Sequence, residues 1–218
     1  VTAVTDASSV TIDRAVPTLS PVAISSNNAT TSLAKEGDII TLTFTSNEAI
    51  STPTVTIASV AATVTGGPTS WSASYTVTNA TTEGLAAINV AFSDLAGNAG
   101  TPVTAVTDGS SVTVDRAVPT VTLSKSGADL IVKDIDNETI TATFNEAMTS
   151  APTISIDLAS GTDISSATMT QGSDPTIWTY DWNVPSGSDG TATVTVAGSD
   201  LAGNAYVGTT NLVFTIDN

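Results

Sequence analysis

The chain has 218 residues, with Lys+Arg 5 against Asp+Glu 21, a formal net charge of -16, no His and no Cys. These absences exclude Ser-His-Asp and Cys-His catalysis, disulfide staples and the usual zinc, copper, haem and iron–sulfur centres. The shortage of Lys and Arg excludes an electrostatic grip on nucleic-acid phosphates. With 40% hydrophobic and 12% charged residues the chain is expected to fold, into one or two domains, around an aliphatic core. No apolar run approaches the ~18 residues of a membrane span. Val1 opens in mid-pattern, without Met or a leader, as a piece cut from a longer chain would.

In chain order, the first 18 residues, VTAVTDASSVTIDRAVPT, return at Val103–Thr120 with changes only at Ala7/Gly109 and Ile12/Val114. The closing Asp of this block falls at 13 and 115 and again at 217, so both intervals are 102 residues. That spacing is too long for a solenoid repeat and suits a small domain. It divides the chain into residues 1–13, the terminal strand of a truncated upstream repeat, then 14–115 and 116–218. Within the first unit Ile40–Phe44, Val55–Ile57, Trp71–Val77 and Ile88–Phe92 alternate apolar and polar at period 2, as half-buried strands do. The second unit repeats this at Ile140–Phe144, Ile154–Ile156, Trp178–Val184 and Thr191–Val196. Breakers such as Gly66-Gly67-Pro68, Gly97-Asn98 and Pro185-Ser186-Gly187 separate the runs, and no ten-residue helical stripe occurs. About seven short strands per ~100 residues predict an all-β chain of two tandem immunoglobulin-like β-sandwiches in an elongated arrangement.

Thr makes up about a fifth of the chain, much of it as Thr-x-Thr. It suits the solvated face of a half-buried strand, whereas an ice-binding array needs flat, stacked strands. The stripe Trp178, Tyr180, Trp182 alternates against Thr179, Asp181 and Asn183, a core pattern; an exposed ring there would instead offer a sugar-stacking platform. Asp134-Ile135-Asp136-Asn137-Glu138 lacks the Gly and terminal Glu of an EF-hand and reads as an exposed turn.

Three paired motifs carry a family resemblance: F-x-E-A (Phe44…Glu48-Ala49; Phe144–Ala147), S-D-L-A-G-N-A (Ser93–Ala99; Ser199–Ala205) and D-R-A-V-P-T (Asp13–Thr18; Asp115–Thr120). Together they resemble the bacterial Ig-like repeats of large secreted and surface adhesins. The resemblance implies a non-enzymatic, extracellular spacer at the bacterial cell surface. Its partners are neighbouring repeats, with self-association through edge strands, and its junctions are rigidified by Ca²⁺. The family's common junction is D-T-T-A-P-T; here Arg14 and Arg116 place positive charge beside the Asp.

Topology points the same way. In such a sandwich the loop after Ile40–Thr45 and the one after Ile88–Ser93 share the end where the chain enters. Asp13, Glu48 and Asp94, with Asn98, are therefore expected to converge, and so are Asp115, Glu146 and Asp200, with Asn204. The opposite end of unit one, expected to face the second cluster, offers Glu36, Asp38 and Glu83. Converging carboxylates suit a hard cation that takes 6–8 oxygen ligands, which describes Ca²⁺. They equally suit Asx turns, in which Asp94 and Asp200 accept only their own loops' N–H groups. A glycosidase would need its carboxylate pair in a sugar-lined cleft, which small repeated sandwiches seldom build. Two other functions remain open: a carbohydrate- or cell-binding module, and a filament subunit that exchanges strands through residues 1–13.

Overall fold

The structure, a computed structural model, describes residues 10–127, 129–133 and 136–217. The chain divides at Asp115/Arg116 into two compact units. Among the described residues there is no helix, hence none long and apolar enough to cross a membrane. The strand-exchange segment 1–13 lies mostly outside the described residues, as do Asp134 and Ile135.

Unit one contains β1 (Leu19–Ser26), β2 (Leu33–Ala34), β3 (Ile39–Ser46), β4 (Thr54–Ile57), β5 (Val60–Ala61), β6 (Thr63–Gly66), β7 (Ser70–Thr76), β8 (Gly84–Leu85), β9 (Ile88–Ala91) and β10 (Thr113–Val114). One sheet has the order β1-β3-β7-β6. The facing layer is made of β5-β4-β9 and β2-β10-β8, β8 and β9 being one strand interrupted at Ala86-Ala87. Burial alternates along β3 as the period-2 pattern requires: Ile40, Leu42 and Phe44 point inward and Thr43 outward.

Unit two contains β11 (Val121–Lys125), β12 (Ile131–Val132), β13 (Asn137–Phe144), β14 (Thr153–Leu158), β15 (Ile164–Thr168), β16 (Thr170–Gln171), β17 (Ile177–Asn183), β18 (Gly190–Ala197) and β19 (Leu212–Ile216). Its sheets are β11-β13-β17-β16 and β12-β19-β18-β14-β15. A four-stranded layer ordered first-second-fifth-fourth, facing a layer that carries the last strand, is the immunoglobulin-like sandwich. Each unit has its own core, centred on Ile40, Leu42, Ile57 and Val90 in one and on Ile140, Ile154, Ile156 and Val194 in the other. Trp71, Trp178 and Trp182 are buried in these cores, and Tyr75 and Tyr180 pack against them half-exposed. The aromatic stripe is therefore spent largely on packing.

The ladders correct two sequence expectations. Phe44 pairs with Trp71, whereas Trp178 pairs with Ala142. With the two tryptophans set equivalent, Phe144 takes the place of Ser46 and not that of Phe44. On the same register Ile40, opposite Tyr75, corresponds to Glu138, opposite Trp182; Ile24, opposite Leu42, corresponds to Lys125, opposite Ile140. The run expected as an exposed turn thus ends inside β13, and Glu138 is buried. Its charge is met by Lys125 Nζ at 3.2 Å and by the Ser126 hydroxyl, which donates to Oε2 at 2.6 Å.

Ring and glycine change places across one further pair. Gly100 N–H donates to the Phe92 carbonyl, and Tyr206 N–H to that of Gly198. A Cβ on Gly100 would lie 2.2 Å from Phe92 Cε2. In unit two the ring stands on the other side, where Tyr206 meets Phe144 edge-on at 6.4 Å.

Candidate metal centre

The entering segment is fastened first. Thr18 N–H donates to Asn47 Oδ1 at 2.7 Å, and Asn47 N–H donates to the Thr18 carbonyl at 3.1 Å. Thr120 and Asn145 repeat the clasp at 2.6 and 3.1 Å. Asn47 and Asn145 were not among the expected site residues, yet each directly precedes the paired Glu in the repeated motif. A side-chain amide suits this place, because its oxygen accepts from one strand while its backbone donates to the same residue.

The loop that begins with Glu48 is then closed from below. Ser46 Oγ donates to the Glu48 carbonyl at 2.5 Å. Ser51 N–H donates to the Ser93 carbonyl at 2.9 Å, and Ile50 bridges to Asp94. Unit two repeats the closure with Thr149 N–H to the Ser199 carbonyl and a Met148–Asp200 bridge.

Asp94 is almost fully buried at 2% exposure, and Asp200 is fully buried. Each carboxylate is held by the Asn four residues on. Asp94 Oδ1 accepts Asn98 N–H at 2.8 Å and Oδ2 accepts Asn98 Nδ2 at 2.7 Å; Asp200 and Asn204 repeat both bonds at 2.8 Å. Gly97, at φ 95, and Gly203, at φ 85, turn the backbone through the left-handed corner between them. Burial alone would raise the Asp94 carboxyl, but bonds from the Asn98 side chain and from the Asn98, Gly97 and Ala96 backbone outweigh it and hold it below its ordinary value. The Asx-turn reading therefore describes these loops, and at Asp94 it favours the ionised carboxylate. Asn98 also reaches the entering segment, its Nδ2 lying 3.4 Å from the Asp13 carbonyl.

Asp13, Glu48 and Asp94 each place a carboxylate oxygen within 4.8 Å of the others, and within unit two Glu146 and Asp200 do the same. Glu48 Oε1 is shielded from solvent without a hydrogen-bond partner. Its carboxyl is pushed above its ordinary value by burial first, then by the negative charges of Asp13 and Asp94. The donor set is all oxygen, and oxygens within 4.8 Å of one another can share an ion at a Ca–O distance of ~2.4 Å. The residues fit a hard divalent cation.

The remaining candidates are not members of these groups. Asp38 Oδ2 accepts from Asn28 Nδ2 at 2.7 Å and from Lys35 N–H at 2.8 Å, closing the turn before β3. Glu36 and Glu83 are exposed. Among the described residues, Glu36, Asp38 and Glu83 join no group of three acidic side chains.

No family model matches the chain, and no curated protein matches it. Among solved structures, the titin domains z1z2 in complex with telethonin are similar at 10% identity and a TM-score of 0.34, over 94% of this chain and 96% of that one.

Proposed function

We propose that the chain is a non-catalytic spacer from a large repetitive bacterial surface adhesin, working outside the cell. On this reading Ca²⁺ closes the end of each unit where the chain enters. The observation that carries the metal is the repetition: the same two loop positions bring carboxylates together in both units, and in unit one Asp13 joins them and Glu48 has an unpartnered, shielded oxygen. Without a cation, the influences on Glu48 all oppose its ionisation. A divalent ion would reverse them, tying the entering segment at Asp13 to the loops of Glu48 and Asp94. The spacer reading rests on the tandem Ig-like fold and on the motif resemblance. The sugar-platform alternative loses two of its three rings, because Trp178 and Trp182 are buried and only Tyr180 is left half-exposed.

Isothermal titration of Ca²⁺ into the metal-stripped 218-residue chain tests the proposal. Two sites are expected, one abolished by Glu48→Gln with Asp94→Asn and the other by Glu146→Gln with Asp200→Asn. Absence of uptake at millimolar Ca²⁺, or uptake indifferent to these substitutions, removes the metal. Specific capture of a glycan by the chain would replace the spacer with a recognition module.

A further inference from the structure

In each unit a strand near the beginning runs parallel to the strand at the end. In unit one this is β2 beside β10, with Thr113 N–H donating to the Ser32 carbonyl at 2.8 Å and Asp115 N–H to the Ala34 carbonyl at 2.9 Å. Unit two has β12 beside β19, with Thr215 N–H to the Leu130 carbonyl at 2.8 Å and Asp217 N–H to the Val132 carbonyl at 2.9 Å. Parallel strands at opposite ends of a unit are drawn past each other when the chain is stretched. The bonds between them then load together instead of opening one at a time.

Unit one has a second set of such ties. Between its Asn-Ala corner and its closing Asp it carries four more residues than unit two, Ala99–Asp115 against Ala205–Asp217. The longer segment reaches the outer edge of β1. Thr107 N–H donates to the Val22 carbonyl at 2.9 Å, and Thr107 Oγ1 accepts Val22 N–H at 2.9 Å. Ser110 Oγ accepts Ile24 N–H at 2.9 Å while its own hydroxyl donates to Asp108 Oδ1 at 2.6 Å. The contacts advance in the same sense on both strands, from 22 to 24 and from 107 to 110, so they too are sheared. Among the described residues, β11 of unit two makes no such bond to the segment 206–216.

We propose that the two units form a mechanically graded pair: under tension along the chain unit two yields first, and unit one holds because Thr107 and Ser110 lock β1 to the departing segment. Forced unfolding is governed by the unfolding rate and not by equilibrium stability, so such a lock matters even where it adds little to a melting curve. The proposal stands or falls independently of calcium and of the spacer reading.

The test is constant-force optical trapping of the 218-residue chain in EDTA, gripped through a Cys added at each end, since the chain has none of its own. Two steps are expected, each releasing roughly 30 nm at about 3.5 Å per residue. Thr107→Val with Ser110→Ala should speed the stronger step roughly tenfold or more at fixed force, through two lost hydrogen bonds, and leave the weaker step unchanged. Thr107→Ser, which keeps a hydroxyl, should behave as the parent. Ile156→Val, in the core of unit two, should speed only the weaker step. The proposal is overturned if the double substitution leaves the stronger step as it was, or if Ile156→Val moves the stronger step.

Discussion

Substituting Glu138 tests whether a buried ion pair in unit two holds the place of two isoleucines in unit one. Lys125 Nζ lies 3.2 Å from Glu138 Oε1, and the side chains are only 4% and 11% exposed. At an effective dielectric of about 20 the gross attraction is about 5 kcal/mol. Removing two ions from water costs several kcal/mol each, so the net worth of the pair is small although both members are committed to it. Two hydrogen bonds complete it: Ser126 Oγ donates to Oε2 at 2.6 Å, and Lys125 Nζ donates to the Ser126 carbonyl at 2.9 Å. Glu138→Ile alone strands a buried ammonium and should cost about 3–5 kcal/mol; Lys125→Ile alone should cost a similar amount. The double substitution restores the unit-one pair Ile24/Ile40 and should be neutral or stabilising by about 1–4 kcal/mol. Urea titration in a Trp71→Phe background reports unit two alone, because Trp178 and Trp182 are then the remaining tryptophans. With a slope of about 1.5 kcal/mol/M, a 3 kcal/mol loss moves the midpoint by about 2 M. Singles that cost less than about 1 kcal/mol, or a double as damaged as their sum, would refute the reasoning.

Three further outcomes are expected. Gly100→Ala drives a Cβ into the Phe92 ring and should cost about 1–3 kcal/mol, whereas Gly100→Tyr combined with Phe92→Gly should lose less than the two single changes together; strict additivity in denaturation midpoints counts against the ring-for-glycine exchange. Acidification should destabilise both units through Asp108 and Asp174, which the hydroxyls and N–H groups of Ser110 and Thr176 hold below the ordinary 3.8. A depressed carboxyl contributes stability that is present above 3.8 and lost as pH falls toward the folded value, so melting temperatures followed from pH 6 to 2 should fall below about pH 4, and less steeply in Asp108→Asn with Asp174→Asn. Glu48→Gln should act in opposite directions: in EDTA at pH 7 it relieves a carboxyl whose ionisation burial, Asp13 and Asp94 oppose, raising the melting temperature of unit one, while in Ca²⁺ it should lower it; a change of the same sign in both buffers speaks against a shared cation.

The strands legible in the sequence are those with one wet and one dry face. β3, β7, β13, β17 and β18 alternate because each is paired on both sides within a sheet and buries one surface. The two-residue strands β2, β5, β8, β10, β12 and β16 were not legible, since their pairing is fixed by distant register and not by local pattern. β1 was hidden by Pro21 and by the irregularity between Leu19 and Val22. At the candidate site, the juxtaposition of Asp13, Glu48 and Asp94 followed from topology, because loops at one end of a sandwich must meet. What the sequence hid was the bonding inside the cluster. That Asn98 would take both Asp94 oxygens, and that Glu48 would keep one oxygen without a partner, depends on φ values and side-chain reach set by the folded loops. Lys125 and Glu138 were hidden for a different reason: period-2 reading places charged residues outside, and only a mutual partner makes them tenable within.

The exchange of Phe92 and Gly100 for Gly198 and Tyr206 bears on how neighbouring units avoid each other's strands while the chain is being made. Tandem domains of one architecture are prone to misassembly, in which a strand of one completes the sheet of the next. The near-identical block at Val103–Thr120 would do nothing to prevent it. The rings would. A hybrid that set the Phe92 strand against the Tyr206 segment would put two aromatic residues at one hydrogen-bonded pair, and the reciprocal hybrid would put Gly198 against Gly100 with no ring at all. Divergence at these two positions is thus expected to help give adjacent repeats separate identities during folding.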